Sequence, residues 1–226
     1  MCEQLWAGGA GGGGDVLYFQ NIRISSGNYT ILVGMGGLDG RGGDVFPQYA
    51  GGYSGNTSSI LGENIDIFIS DLSQLNAPQK LVESIIEEGI EINHLVNNAR
   101  SLKSLKVGSE GVSQRDEMAM EYLLDVIVPY ELATSIYALQ KDALKTIVNI
   151  GSQYGSVAAN PALYQGDLTQ SPIQYGLAKS ALNHLTKELA VRFSKDNIRV
   201  NCVAYGGVEG RVNKDFKIRY ANLTPM

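Results

Sequence analysis

Residues 146–195 read TIVNIGSQYGSVAANPALYQGDLTQSPIQYGLAKSALNHLTKELAVRFSK. The segment opens as an apolar strand, 146–150 (TIVNI), and turns at Gly151-Ser152. It ends in a long helix, 173–194, that carries Tyr175-Gly-Leu-Ala-Lys179. Side chains four positions apart share one helix face, so Tyr175 and Lys179 are expected to meet. An ammonium beside a phenol favours the phenolate, and a Ser hydroxyl can hold a carbonyl or alcohol oxygen. With 12 tyrosines in the chain, Tyr-x-x-x-Lys by itself carries little information. Its weight comes from the frame: a strand ending near Ser152, the helix, and a second strand directly after it at 198–204 (IRVNCVA).

Working outward, strands and helices alternate from residue 65 on. Residues 65–69 (IDIFI) form a strand, and 77–88 an amphipathic helix with Leu81, Val82, Ile85 and Ile86 inward. A strand at 92–96 (INHLV) runs into Asn97-Asn98-Ala99-Arg100, and 101–114 is a polar loop. Residues 115–139 make one long helix that Pro129 should kink. The alternation specifies an α/β fold of the Rossmann type, a doubly wound parallel sheet of about five or six strands with helices on both faces. Upstream, the strand 29–33 (YTILV) leads to Gly34-Met-Gly-Gly37-Leu-Asp-Gly40. Glycines so spaced after a strand let backbone N–H groups cradle a pyrophosphate, provided that a helix follows. Residues 41–64 hold Pro47 and many glycines but no helical repeat. Sixteen of the 27 glycines fall in the first 55 residues, so a glycine-rich loop without a ligand is the other reading.

The 226 residues suffice for a single α/β domain. A net charge of −5 and a pI near 5.1 argue against a nucleic-acid partner. The sequence shows no apolar run of the length needed for a membrane span and no secretory-signal pattern. The two cysteines, Cys2 and Cys202, imply neither a disulfide framework nor a metal site, and a cytoplasmic location is expected. His94 and His184 read as packing or surface residues. Residues 1–29 combine the glycine run 7–14 with DVLYFQN at 15–21, which resembles a protease tag. They are taken as a disordered, tag-like segment outside the domain, which occupies 30–226.

Taken together, IVNIGS, QYGLAKSALNHLTKELAVRF and IRVNCVAYGG resemble the second half of a short-chain dehydrogenase/reductase. The likeness covers 65–226, with an echo at 30–40. It implies an NAD(P)-dependent oxidoreductase interconverting a secondary alcohol and a ketone. Tyr175 would be the general acid/base, Lys179 its activator and ribose contact, and Ser152 the group that orients the substrate oxygen. Asp125 falls where the family has an Asn that holds a relay water, and its added carboxylate would oppose phenolate formation. Gly34, Gly37 and Gly40 would cradle the pyrophosphate. Asp71 and Leu72 would flank the adenine, Asn98 and Ala99 the ribose, and Gly206 and Val208 the nicotinamide side.

NAD and NADP are not distinguished, because the strand end that normally chooses between them is not found. Arg100 replaces a family Gly and Tyr205 a Pro, while 213–221 resembles a substrate-lid helix. The insertion 158–171 resembles that of members acting on bacterial surface-sugar or nonulosonate precursors. The two long helices resemble the family's dimer pair, which implies a homodimer or homotetramer. The expected domain is incomplete at both ends. The alternative reading is a non-catalytic member that keeps the fold. An extended-branch epimerase would need a larger substrate domain.

Overall fold

The computed structural model describes residues 5–8, 16–19, 29–34, 65–101, 103–108, 110–207 and 213–224. Five parallel strands carry the fold: β3 (Tyr29–Gly34), β4 (Ile65–Ser70), β5 (His94–Asn97), β6 (Thr146–Ser152) and β7 (Arg199–Tyr205). β3 pairs with β4, and β5-β6-β7 form a continuous run. β3 also contacts β5. β3 and β4 pair directly in parallel, in register from Tyr29↔Ile65 to Gly34↔Ser70. Within 1–29, two apolar runs flank the glycines and pair as an antiparallel ribbon, β1 (Leu5–Gly8) with β2 (Val16–Phe19). Among the described residues this ribbon pairs with no other strand.

Helices α1 (Ala77–Glu87), α2 (Arg115–Tyr122), α3 (Val128–Gln140) and α4 (Ile173–Phe193) pack as a layer, α1 against α3 and α2 against α4. Val82 and Ile85 of α1, Ala133 and Ile136 of α3 and Ile147 of β6 reach full burial in one cluster with Leu189 and Phe193. On the strands, Ile69, Val96 and Val203 remain exposed.

The long helix expected over 115–139 is interrupted by a π turn at Leu123–Ile127. Pro129 has no N–H and its ring crowds the carbonyl four residues back, that of Asp125. The wider turn accommodates both, and Val128 N–H bonds Leu123 O instead. Arg115–Gln140 is long enough, and over an 18-residue window apolar enough, to cross a membrane, the one such helix among the described residues. Val128, Leu132, Ala133 and Ile136 of this helix pack into the core.

Candidate active site

Ser152 ends β6, is buried, and accepts a hydrogen bond from Tyr154 N at 3.2 Å. The loop that follows presses on α4 at glycines. A Cβ on Gly155 would stand 2.8 Å from the Lys179 carbonyl, and one on Gly176 would stand 3.1 Å from Tyr154 O. This close approach brings the first turns of α4 against the strand end. Lys179 is buried, and its Nζ donates to Ile150 O at 2.9 Å, two residues before Ser152. The same Nζ lies 5.7 Å from the centroid of the Tyr175 ring, as their helical spacing predicts.

Asp125 is not a solvated surface group. Its Oδ1 stands 3.0 Å from Lys179 Nζ, and its side chain is 2% exposed. Asp125 Oδ2 is buried without a hydrogen-bond partner among the described residues. One turn earlier, Glu121 is also buried, with Oε2 against Ser104 Oγ. Loss of water, then the charge of Asp125, pushes the Glu121 carboxyl above the ordinary carboxylate range. The Arg100 guanidinium lies 4.8 Å from the Tyr175 ring centroid, so the residue that departs from the family pattern puts a cation on the phenol.

Gln174, beside Tyr175, is buried and donates to Ser104 O at 2.8 Å and Lys106 O at 3.1 Å. It ties the loop after β5 to the start of α4. Neither Glu121 nor Gln174 stands out in the sequence. Both are polar residues whose burial comes only from tertiary packing.

The residues expected on the cofactor side are partly reunited. Leu72, Asn98 and Ala99 line one narrow crevice together with Leu124, Val128 and Pro129. Asp71 does not cap α1, whose N-cap is Asn76. It closes its own turn instead, accepting from Ser73 N and Oγ and from Gln74 Nε2. Partial burial works against the Asp71 anion, but these bonds outweigh it and hold the carboxyl below its ordinary value. Asn97 Nδ2 donates to Asn149 Oδ1 at 2.8 Å, and Asn149 Nδ2 to Thr186 Oγ1 at 2.9 Å, which locks β5, β6 and α4 together. Gly34 ends β3. Gly37, Gly40 and Val208 lie outside the described residues.

On the other side, Gly207 N–H donates to Tyr220 Oη at 2.6 Å and Gly206 lies against the same hydroxyl. Tyr220 belongs to α5 (Lys214–Leu223), which Asn213 caps through Phe216 N. The insertion 158–171 meets this helix: Tyr164 packs edge-on to Phe216, and Arg219 Nε donates to Leu163 O at 2.8 Å. Tyr164 also shares a 2.8 Å hydrogen bond with Tyr154. Burial, then that bond, pushes the Tyr154 phenol up.

A family model described as enoyl-(acyl carrier protein) reductase matches residues 55–222. The chain belongs to the short-chain dehydrogenase/reductase family. Within that family it is similar to benzil reductase ((S)-benzoin forming) of Saccharomyces cerevisiae, 29% identical over 66% of this chain and 54% of the relative. A post-translational flagellin modification protein A of Campylobacter coli is 35% identical, over 30% of this chain and 27% of its own length. A short-chain dehydrogenase of Leptospira borgpetersenii, solved with NAD+, superposes with a TM-score of 0.63 at 24% identity, over 71% of this chain and 61% of that one. That likeness shows the fold, an α/β Rossmann-like parallel sheet. The chain spans about half the length of the first relatives it matches, 54% and 52%.

Proposed function

We propose that this short-chain dehydrogenase/reductase interconverts a secondary alcohol and a ketone with NAD or NADP. The observation that carries the reading is Lys179, beside the Tyr175 ring at 5.7 Å and tied to the strand end that bears Ser152. Tyr175 gives a proton to the substrate oxygen, or takes one from it. Lys179 and Arg100 place positive charge beside its ring. Ser152 orients the substrate oxygen, and Asp125 replaces the family's relay Asn.

Leu72, Asn98 and Ala99, which line one narrow crevice, would flank one side of the dinucleotide. Asp71, Lys179 and Gly206 would complete the hold, with Gly34, Gly37, Gly40 and Val208. When bound, the nicotinamide would supply or accept the hydride. Titration with NADH and NADPH tests binding, and Tyr175→Phe tests the chemistry. Lost turnover with unchanged cofactor affinity supports the assignment, whereas retained turnover overturns it.

A sugar or sugar-acid precursor is the proposed substrate. The resemblance of the insertion 158–171 to that of members acting on such precursors supports it. A homodimer or homotetramer is proposed from the exposed apolar side chains Tyr122, Ile127, Tyr130 and Leu139 on α2–α3 and Leu177 and Val191 on α4. Light scattering of the purified chain tests this. A cytoplasmic location is proposed from the cysteine usage alone. The second reading, a non-catalytic member, is favoured by the direct Asp125–Lys179 ion pair, which offsets the ammonium charge at 3.0 Å. Cofactor binding without turnover on any ketone or alcohol would support that reading.

A further inference from the structure

Behind Lys179 the helix carries two buried carboxyl groups, Glu121 at 1% exposure and Asp125 at 2%. Lys179 Nζ serves Asp125 Oδ1 at 3.0 Å and Ile150 O at 2.9 Å. Other charges face the pair too: Arg100 follows β5, and both it and Lys179 act on Glu121 through space. From β7, Cys202 also lies within reach of the Lys179 charge.

The two bonds of Ser104 bear on the protonation of Glu121. Its Oγ is 2.9 Å from Ser101 O and also bonded to Glu121 Oε2. A serine hydroxyl has one hydrogen, and a backbone carbonyl can only accept. If the Ser104 hydrogen goes to Ser101 O, the other bond needs its hydrogen from Glu121. The buried carboxylic acid then donates to Ser104 Oγ, and a second buried anion beside Asp125 is avoided.

We propose that Glu121 is a neutral carboxylic acid that donates its O–H to Ser104 and leaves Asp125 as the single carboxylate set against Lys179. Glu121 is thereby a positioning residue. It fixes the loop at Ser101–Ser104 through the hydroxyl and keeps Lys179 facing one negative charge instead of two. The protonation state stands independently of catalysis. The consequence for Tyr175 rests on the oxidoreductase reading.

Infrared difference spectroscopy of the purified chain at neutral pH, with no cofactor or substrate, tests the assignment. The wild type should show the C=O stretch of a protonated, buried carboxyl. Glu121→Gln should abolish it, Ser104→Ala should shift it, and Asp125→Asn should retain it. A spectrum without such a band overturns the proposal, as does a band that survives Glu121→Gln or vanishes only in Asp125→Asn. Rescue gives a second readout. A Gln amide can donate to Ser104 as the acid does, so Glu121→Gln should melt within about 2 °C of wild type and Glu121→Ala at least about 4 °C lower. Equal losses in both variants would show that the charge is required and overturn the neutral acid. An absence of turnover would leave the band in place, so the two readings fail separately.

Discussion

Lys179 Nζ stands 3.0 Å from Asp125 Oδ1 with both side chains out of water, at 7% and 2% exposure. A buried pair of this kind adds little net stability over a well-packed apolar pair, but removing one partner strands the other charge. Asp125→Ala should therefore cost on the order of 3–5 kcal/mol. Asp125→Asn keeps a hydrogen-bonding oxygen and should cost clearly less. Urea denaturation of both variants measures the gap, and equal costs would show that the ammonium finds another partner.

Asn149 is wholly buried between Asn97 and Thr186. Asn149→Ala leaves the Asn97 amide without its acceptor, and unfolding free energy should drop by about 1–3 kcal/mol. An unchanged denaturation midpoint would mean that the chain from β5 to α4 is not a structural tie.

Gly155 sits where an added Cβ would come within 2.8 Å of the Lys179 backbone. Gly155→Ala should cost about 1–3 kcal/mol through overpacking, because backbone cannot swing aside as a side chain can. Gly151→Ala meets Cys202 Sγ at 2.5 Å and should be relieved in part by rotation of that thiol. Thermal melts of the two variants rank them, and a more damaging Gly151→Ala would refute this order.

The two perturbed acids have opposite pH signatures. Glu121 is raised from 4.5, so the unfolded chain loses its proton first, and stability falls as pH climbs through 4.5 towards the folded value. Glu121→Gln removes that slope, and its stability relative to wild type should improve from pH 4 to pH 7. Asp71 is lowered from 3.8, so its contribution is complete above that pH and fades as pH drops through the folded value. Asp71→Asn should accordingly be destabilised at neutral pH and converge on wild type in acid. Chemical denaturation across pH checks both signs.

Tyr220 holds Gly207 N–H through its hydroxyl. Tyr220→Phe should raise hydrogen exchange at the Gly207 amide while leaving exchange in β6 unchanged. Equal protection in the variant would mean that α5 is held to this loop by other contacts.

Much of this was readable from residue order. Ser152, Tyr175 and Lys179 come from one continuous strand–helix segment, so local spacing is enough to find them. Asp125 could be placed by counting, although its ion pair could not. Glu121 is hidden among the acids of 115–122, where Asp116 looks the same and lies exposed and Glu117 is half-buried. Only the packing of α2 on α4 separates them. The π turn was equally hidden: Pro129 announced a disturbance, but its form depends on how both flanking helices seat in the core. Arg100 was visible as a departure, whereas its position over Tyr175 depends on where the loop after β5 is tied down by Gln174.

The π turn at Leu123–Ile127 amounts to one extra residue in an otherwise regular helix. Each residue of an α-helix turns the chain by about 100°. The insertion therefore acts as a swivel that lets the α2 side chains choose their bearing apart from those of α3. Deleting a single residue there would leave the apolar stripe of α3 in place but rotate Glu121 away from Ser104.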